Sequence, residues 1–287
     1  MDIKKIIKKS FNSIGYELAN LRAFEKNGRE KNELKNTLER LVFIIKHNNN
    51  NNEEDAIRKL INVSCDNLLK SKSQLFQELF VLFCLDEKRN GFFIEFGATD
   101  GITLSNTYLL ERDFAWDGIL VEPARVWLPQ LKKNRKCRID NRCVWSQSGG
   151  QITFHETDIA ELSTISNYSG ADFFSEKRKN KKAYEVETIS LKDLLDFYKS
   201  PKEIDFLSID TEGSEFDILN AFDFTAYQVK IITVEHNFSP KREDIFKLLS
   251  GNGFRRVFES ISFFDDWYVN NVIYNKIYPG KLINPEA

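Results

Sequence analysis

From residue 92 onward the chain repeats one unit: a short apolar run, halted by a glycine or an acidic residue, and then a stretch with helical periodicity. The first run, 92–96, reads Phe-Phe-Ile-Glu-Phe and stops at Gly97. Further runs fall at 118–121, 204–209, 229–234, 254–258 and 267–273, with helical patterns over 104–110, 126–131, 216–222 and 245–249. Runs this short suit buried strands, and strands alternating with helices build a doubly wound α/β sheet with right-handed connections. Segments 151–155 and 184–190 read as strands added around a polar stretch, 163–182, which carries Lys177, Arg178, Lys179, Lys181 and Lys182 after Phe173 and Phe174. That stretch suits either a solvated loop or a lid for an anionic acceptor.

Upstream, 55–69 and 71–85 have the spacing of two helices. Five consecutive asparagines at 48–52 mark a linker, because Asn competes with helical hydrogen bonds. Residues 1–47 hold 11 Lys and Arg against 6 Asp and Glu, and Ile3, Ile7, Phe11, Ile14, Leu18 and Leu21 form one stripe. Such a segment is expected to pack on the main domain or on a second copy of the chain. Contact with an anionic membrane surface is the alternative. The expected organisation is a helical extension over 1–87 and an α/β domain over 88–287.

Charge and cysteine content narrow the function. A net charge of −2 lacks the basic excess of a general nucleic-acid binder. No apolar run reaches the length of a membrane span, and the start of the chain lacks the apolar core of a signal peptide, so a cytoplasmic protein is expected. Four cysteines without a CxxC pair argue against a zinc ribbon or a disulfide scaffold.

In a doubly wound sheet ligands bind beyond the carboxyl ends of the strands. The first strand is followed by Gly97-Ala98-Thr99-Asp100-Gly101, which lacks the middle glycine of a dinucleotide fingerprint. Glu95 and Asp100 put carboxylates where a pyrophosphate would lie, an arrangement suited to a cationic ligand such as a sulfonium. Glu122, at the end of the second strand, is placed to accept hydrogen bonds from ribose hydroxyls. This pairing fits S-adenosylmethionine better than a nicotinamide cofactor. Further on, Asp210 and Glu212 follow one strand, and Glu235 and His236 end the next. An imidazole titrates near neutrality, which suits a general base.

These motifs resemble those of FkbM-family methyltransferases. The likeness spans about residues 88–275 in order: Glu95–Gly101, Leu104-Ser105-Asn106-Thr107, Glu122-Pro123, Ile209–Glu215 and Val234-Glu235-His236-Asn237. It implies a Rossmann-like class I methyltransferase fold, an S-adenosylmethionine cofactor, and transfer to a hydroxyl of a sugar, nucleotide sugar or glycan. It also implies that Gly97, Asp100 and Gly101 line the methionine end with Glu95 and Thr99 of the same motif. Ser105 and Asn106 would begin the first helix beside the cofactor, and Glu122 would hold ribose. Asp210 and His236, with Glu212 and Glu235, are the expected catalytic group. Metal-free base catalysis is preferred over a divalent cation held by Asp210, Glu212 and either Glu235 or His236. A non-catalytic adenosyl-binding scaffold and a nicotinamide oxidoreductase are the competing readings.

Overall fold

The computed structural model describes residues 54–64, 67–157, 164–165 and 181–279. The stripe in 1–47, the asparagines at 48–52 and most of the 163–182 stretch lie outside these residues. Two helices, α1 (Glu54–Ser64) and α2 (Gln77–Cys84), precede the sheet. The strands are β1 (Phe92–Phe96), β2 (Asp117–Val121), β3 (Arg138–Asp140), β4 (Cys143–Val144), β5 (Gln151–Thr157) and β6 (Thr164–Ile165), then β7 (Lys181–Ile189), β8 (Glu203–Ile209), β9 (Gln228–Glu235), β10 (Phe254–Val257) and β11 (Asp265–Asn270). Helices α3 (Tyr108–Phe114), α4 (Leu128–Asn134), α5 (Leu191–Phe197), α6 (Glu215–Asn220), α7 (Arg242–Gly251), α8 (Glu259–Ser262) and α9 (Asn271–Ile277) connect or follow them.

A seven-stranded sheet has the order β10-β11-β9-β8-β1-β2-β3. The five strands from β9 to β3 are parallel, and β11 runs antiparallel between β9 and β10. Strand order reverses between β1 and β8, so this is the switch point where a ligand crevice opens. The added strands form a second sheet, β4-β7-β5-β6, in which β5 and β7 pair antiparallel.

Alternating side chains divide the main sheet into two cores. Ile94, Phe96, Ile119, Leu207, Ile209, Ile232 and Val234 pack against α5, α6 and α7 on one face. On the other face, Phe93, Phe206, Ile231 and Trp267 pack against α1 and α2 through Ile57, Leu60, Leu79 and Phe80. Phe80 stacks on Trp267 with ring centroids 4.6 Å apart. The two leading helices therefore share the core of the sheet, although the sequence motifs begin only at β1.

Several boundaries shift for local reasons. The expected helix over 104–110 begins at Tyr108, because Leu104 bridges to Ser73 and residues 105–107 hydrogen-bond to Glu95. The expected helix over 71–85 begins at Gln77; the Glu78 carboxylate accepts from Lys72 N, Ser73 N and Ser71 Oγ and holds that segment in a loop. The last strand stops at Asn270, whose side chain caps α9 by accepting from Ile273 N.

Truncating the Phe80 ring should cost about 3–5 kcal/mol of stability, as for other buried aromatics. Chemical denaturation of Phe80→Ala measures it; a loss under about 1 kcal/mol would show that α2 only lies against a self-sufficient domain.

Candidate active site

A cavity opens at the carboxyl ends of β1, β2, β8 and β9, lined by Glu95, Gly97, Thr99, Asn106, Glu122, Asp210, Glu212 and Glu235 among others. Strand register explains why the acids meet. Ser208 pairs with Thr233 and Ile209 with Val234, so Asp210 and Glu235 fall side by side one step beyond, on the same face. Asp265 pairs with Glu235 across β11 and extends the row to a third acid. One oxygen each from Asp210, Glu212 and Glu235 lie within 4.8 Å of one another. Such a group could hold a hard divalent cation.

Burial raises the pKa of Asp210, Glu235 and Asp265. Desolvation, with Asp210 and other acids nearby, pushes Glu235 well above the carboxylate range. Asp210 is likewise raised by burial. Two acids so placed titrate as a pair. Asp265, which accepts from Gln77 Nε2 at 2.7 Å, is pushed up to about 8, first by burial and then by its acidic neighbours.

The turn after β1 supplies close approach and donors. Gly97 has φ +76, and a Cβ there would lie 2.1 Å from the Asp210 carbonyl oxygen. Its role is thus to let β1 and β8 converge, rather than only to admit a ligand. Thr99 N donates to Glu122 Oε2 at 2.7 Å, and Ala124 N donates to Oε1 at 2.8 Å. Burial pushes Glu122 up to about 7 against these donors. Each of its oxygens keeps a lone pair for a ligand hydroxyl. Beside it, Val121, Cys143, Val144 and Phe154 form an apolar wall.

Four expected site residues sit elsewhere. Asp100 caps its own turn, accepting from Ile102 N, Thr103 N and Thr103 Oγ1. Gly101 faces α4, where a Cβ would meet Arg135 and Leu131. Ser105 donates to Glu95 and accepts from Arg135, so it reaches the cavity only through them. His236 is turned away from the acids that share its rim. Its Nδ1 accepts from Phe238 N at 3.0 Å, and its Nε2 lies 3.7 Å from Asp266. Burial holds its pKa down to about 4, so the ring is neutral at pH 7. His236 thus lies apart from the Asp210–Glu235 pair with which the sequence grouped it, because adjacent residues of an extended strand point to opposite sides.

Three contributors lie outside the expected site residues. Arg135 follows the Lys-rich last turn of α4, and its side chain is 1% exposed. It donates Nε to Glu111, Nη1 to the Gly101 carbonyl and Ser105 Oγ, and Nη2 to Thr107 Oγ1. Thr107 Oγ1 and Asn106 N in turn donate to Glu95. Glu215 turns back from α6 to accept from Thr211 N and Gly213 N, which sets the loop carrying Glu212. Gln74, from the leading segment, reaches the cavity wall.

An antiparallel strand inserted beside the last edge strand, with an acidic crevice at the switch point, defines a Rossmann-like class I methyltransferase fold. The methyltransferase FkbM domain matches residues 95–259, more than half of the chain, and the chain belongs to that family. Among solved structures, precorrin-6y C5,15-methyltransferase from Geobacter metallireducens GS-15 is similar at 11% identity and a TM-score of 0.35, with 62% of this chain and 71% of that one covered. No curated protein matches the chain.

Replacing Arg135 by Met should destabilise the protein by about 3–5 kcal/mol, since Glu95 and Glu111 would lose their shared cationic partner and keep only neutral donors. Arg135→Lys should recover only part of this, because an ammonium cannot span the same four acceptors. Denaturation midpoints of the two variants decide it; equal stability of Met and wild type would remove Arg135 from the framework.

Proposed function

We propose that this methyltransferase uses S-adenosylmethionine and methylates a hydroxyl of a carbohydrate-like acceptor, a sugar, nucleotide sugar or glycan. The observation that carries this reading is the row of carboxylates, Asp210, Glu235 and Asp265, that strand register aligns at one end of the cavity that Glu122 also lines. Such a cavity is costly to leave anionic and becomes favourable when a cation enters. The donor set also fits the rest of the cofactor, with Glu122 for the ribose hydroxyls and the wall of Val121, Cys143, Val144 and Phe154 for adenine. S-adenosylmethionine, when bound, supplies an electrophilic methyl on a sulfonium and leaves as a neutral thioether. The chain's own task is to orient the acceptor oxygen and remove its proton as the new C–O bond forms.

The Asp210–Glu235 pair is suited to that proton. Deprotonated as a cation enters the cavity, the pair would present a carboxylate of raised basicity to the acceptor hydroxyl, with Glu212 as negative charge alongside. His236, neutral and engaged with Phe238 N, holds the following loop instead. A second reading follows from the clustering of Asp210, Glu212 and Glu235: a divalent cation there would acidify the hydroxyl directly. The metal-free reading expects turnover unchanged by chelator; loss under chelation with recovery in Mg²⁺ would transfer the role to a metal.

Two measurements test the main reading. Glu122→Ala should weaken S-adenosylhomocysteine binding by about 1.5–3 kcal/mol, from lost charge-assisted hydrogen bonds. Asp210→Asn and Glu235→Gln should each slow transfer by about 10²-fold or more while shifting that affinity much less. Unimpaired turnover in either variant would remove the pair as base.

Cofactor affinity should also depend on pH, with a determined sign. Acids with raised pKa values carry protons below neutrality and lose them as pH rises, so a cation binds better at higher pH. Asp265 at about 8, beside the raised Glu235, places the change across neutrality. Calorimetry should find S-adenosylmethionine tightening more steeply from about pH 6 to about pH 8 than S-adenosylhomocysteine, whose sulfur is uncharged. Parallel pH profiles for the two ligands would show that the acids do not face the sulfonium.

A further inference from the structure

The loop that follows Glu122 is fastened by side chains of the second sheet. Every backbone N–H from Glu122 to Trp127 has a partner. Glu122 N and Trp127 N donate to the main-chain carbonyls of Asp140 and Ala124. Ala124 N donates to Glu122 Oε1 at 2.8 Å. The other two reach across to β7 and β5. Arg125 N donates to the Tyr184 hydroxyl at 3.0 Å, and Val126 N donates to Glu156 Oε2 at 3.2 Å. Arg125 and Val126 are both exposed, a setting in which loop N–H groups are ordinarily left to water.

The two fastening groups are tied to each other and to the cavity. Tyr184 donates its hydroxyl proton to Glu156 Oε2 at 2.8 Å, so one carboxylate oxygen accepts from both the phenol and Val126 N. Burial, with Glu156 alongside, pushes the phenol pKa up, and the hydroxyl keeps its proton at neutral pH. The Arg125 guanidinium lies over the Tyr184 ring, 4.0 Å from its centroid. Antiparallel register pairs Tyr184 with Phe154, whose ring lies 5.8 Å away and lines the cavity. Tyr184 thus meets the loop after Glu122 through its hydroxyl and the apolar wall through its ring.

We propose that Tyr184 and Glu156 are positioning residues for the adenosyl end of the cofactor, acting through the 123–126 loop on the Glu122 carboxylate. The inference rests on the S-adenosylmethionine reading of the cavity and extends its binding machinery to the second sheet. To meet two adjacent ribose hydroxyls, the Glu122 carboxylate must be held in one orientation. Its donors, Thr99 N and Ala124 N, come from separate loops, one on each oxygen. The Ala124 donor is aimed by a segment whose next two N–H groups are held by Tyr184 and Glu156. Without that clamp the loop exchanges those bonds for water, and the ligand must then order it on binding. The cost falls on affinity, because Ala124 itself stays anchored in the apolar cluster of Cys143, Phe154 and Val186.

The test is calorimetry on the full-length chain with two probes, S-adenosylhomocysteine and 5′-methylthioadenosine, which keeps the adenosyl end and lacks the amino-acid end. Tyr184→Phe keeps the ring and removes the hydroxyl; it should weaken both ligands by the same factor, about three- to tenfold. Glu156→Ala should do likewise. Glu156→Gln should stay within about twofold of wild type, because one amide oxygen can accept from both Tyr184 and Val126. In a Glu122→Ala background, Tyr184→Phe should change affinity by less than about twofold, since the group it positions is gone. Unchanged affinity in Tyr184→Phe, a loss confined to S-adenosylhomocysteine, or full additivity with Glu122→Ala would each overturn the clamp. Equal losses in Glu156→Gln and Glu156→Ala would assign the effect to the charge of Glu156 and overturn it as well. Failure of both probes to bind the wild type would instead overturn the cofactor reading on which the clamp rests.

Discussion

Burying a carboxylate is costly unless donors or a cation meet it, and the ligand end of this sheet buries several side by side. Each acid is answered differently. Glu95 is answered in full, by Ser105, Asn106, Thr107 and the nearby guanidinium of Arg135, so it acts as the anchor of the loop leading into α3. Glu122 is answered in part, by two backbone N–H groups that leave it capacity for a ligand. Asp265 is answered by Gln77, while Asp210 and Glu235 lie against each other with pKa values raised by burial. The acids thus run from the fully answered Glu95 through the partly answered Glu122 to the pair at the ends of β8 and β9.

That arrangement depends on how closely the central strands approach. Gly97 lies against the Asp210 carbonyl where no side chain would fit, so the β1 turn and the end of β8 meet at the switch point. Parallel register then carries Asp210 beside Glu235, and antiparallel pairing of β11 adds Asp265. No flexible side chain has to reach across a gap. The acids are presented by strand ends, and precision of this kind is what transfer between two aligned reactants requires.

The leading segment completes this framework. Glu78 is fully buried, and its carboxylate ties residues 71–73 to the start of α3 through Leu109 N. The same stretch places Gln74 at the cavity and Gln77 on Asp265. Residues upstream of every recognisable motif thus help set the charge and shape of the site. Among the described residues no helix is long and apolar enough to cross a membrane.

The sequence by itself determined the α/β class, the alternation of strands and helices, and the acids that end β1, β2, β8 and β9. Those features are local: a strand reads from its apolar run, and a glycine or acid at its end reads from composition. Tertiary structure alone decided which of these residues share a cavity. His236 and Glu235 are adjacent in sequence, yet strand alternation sends one to Asp266 and the other to Asp210. Asp100 satisfies its own turn, a choice set by backbone angles that the residue type leaves open. Arg135 and Glu78 became buried anchors only because distant segments brought acceptors and donors around them. Pattern reports what one segment prefers, whereas a site is made where several segments meet, and the cost of burying each charge selects the partners.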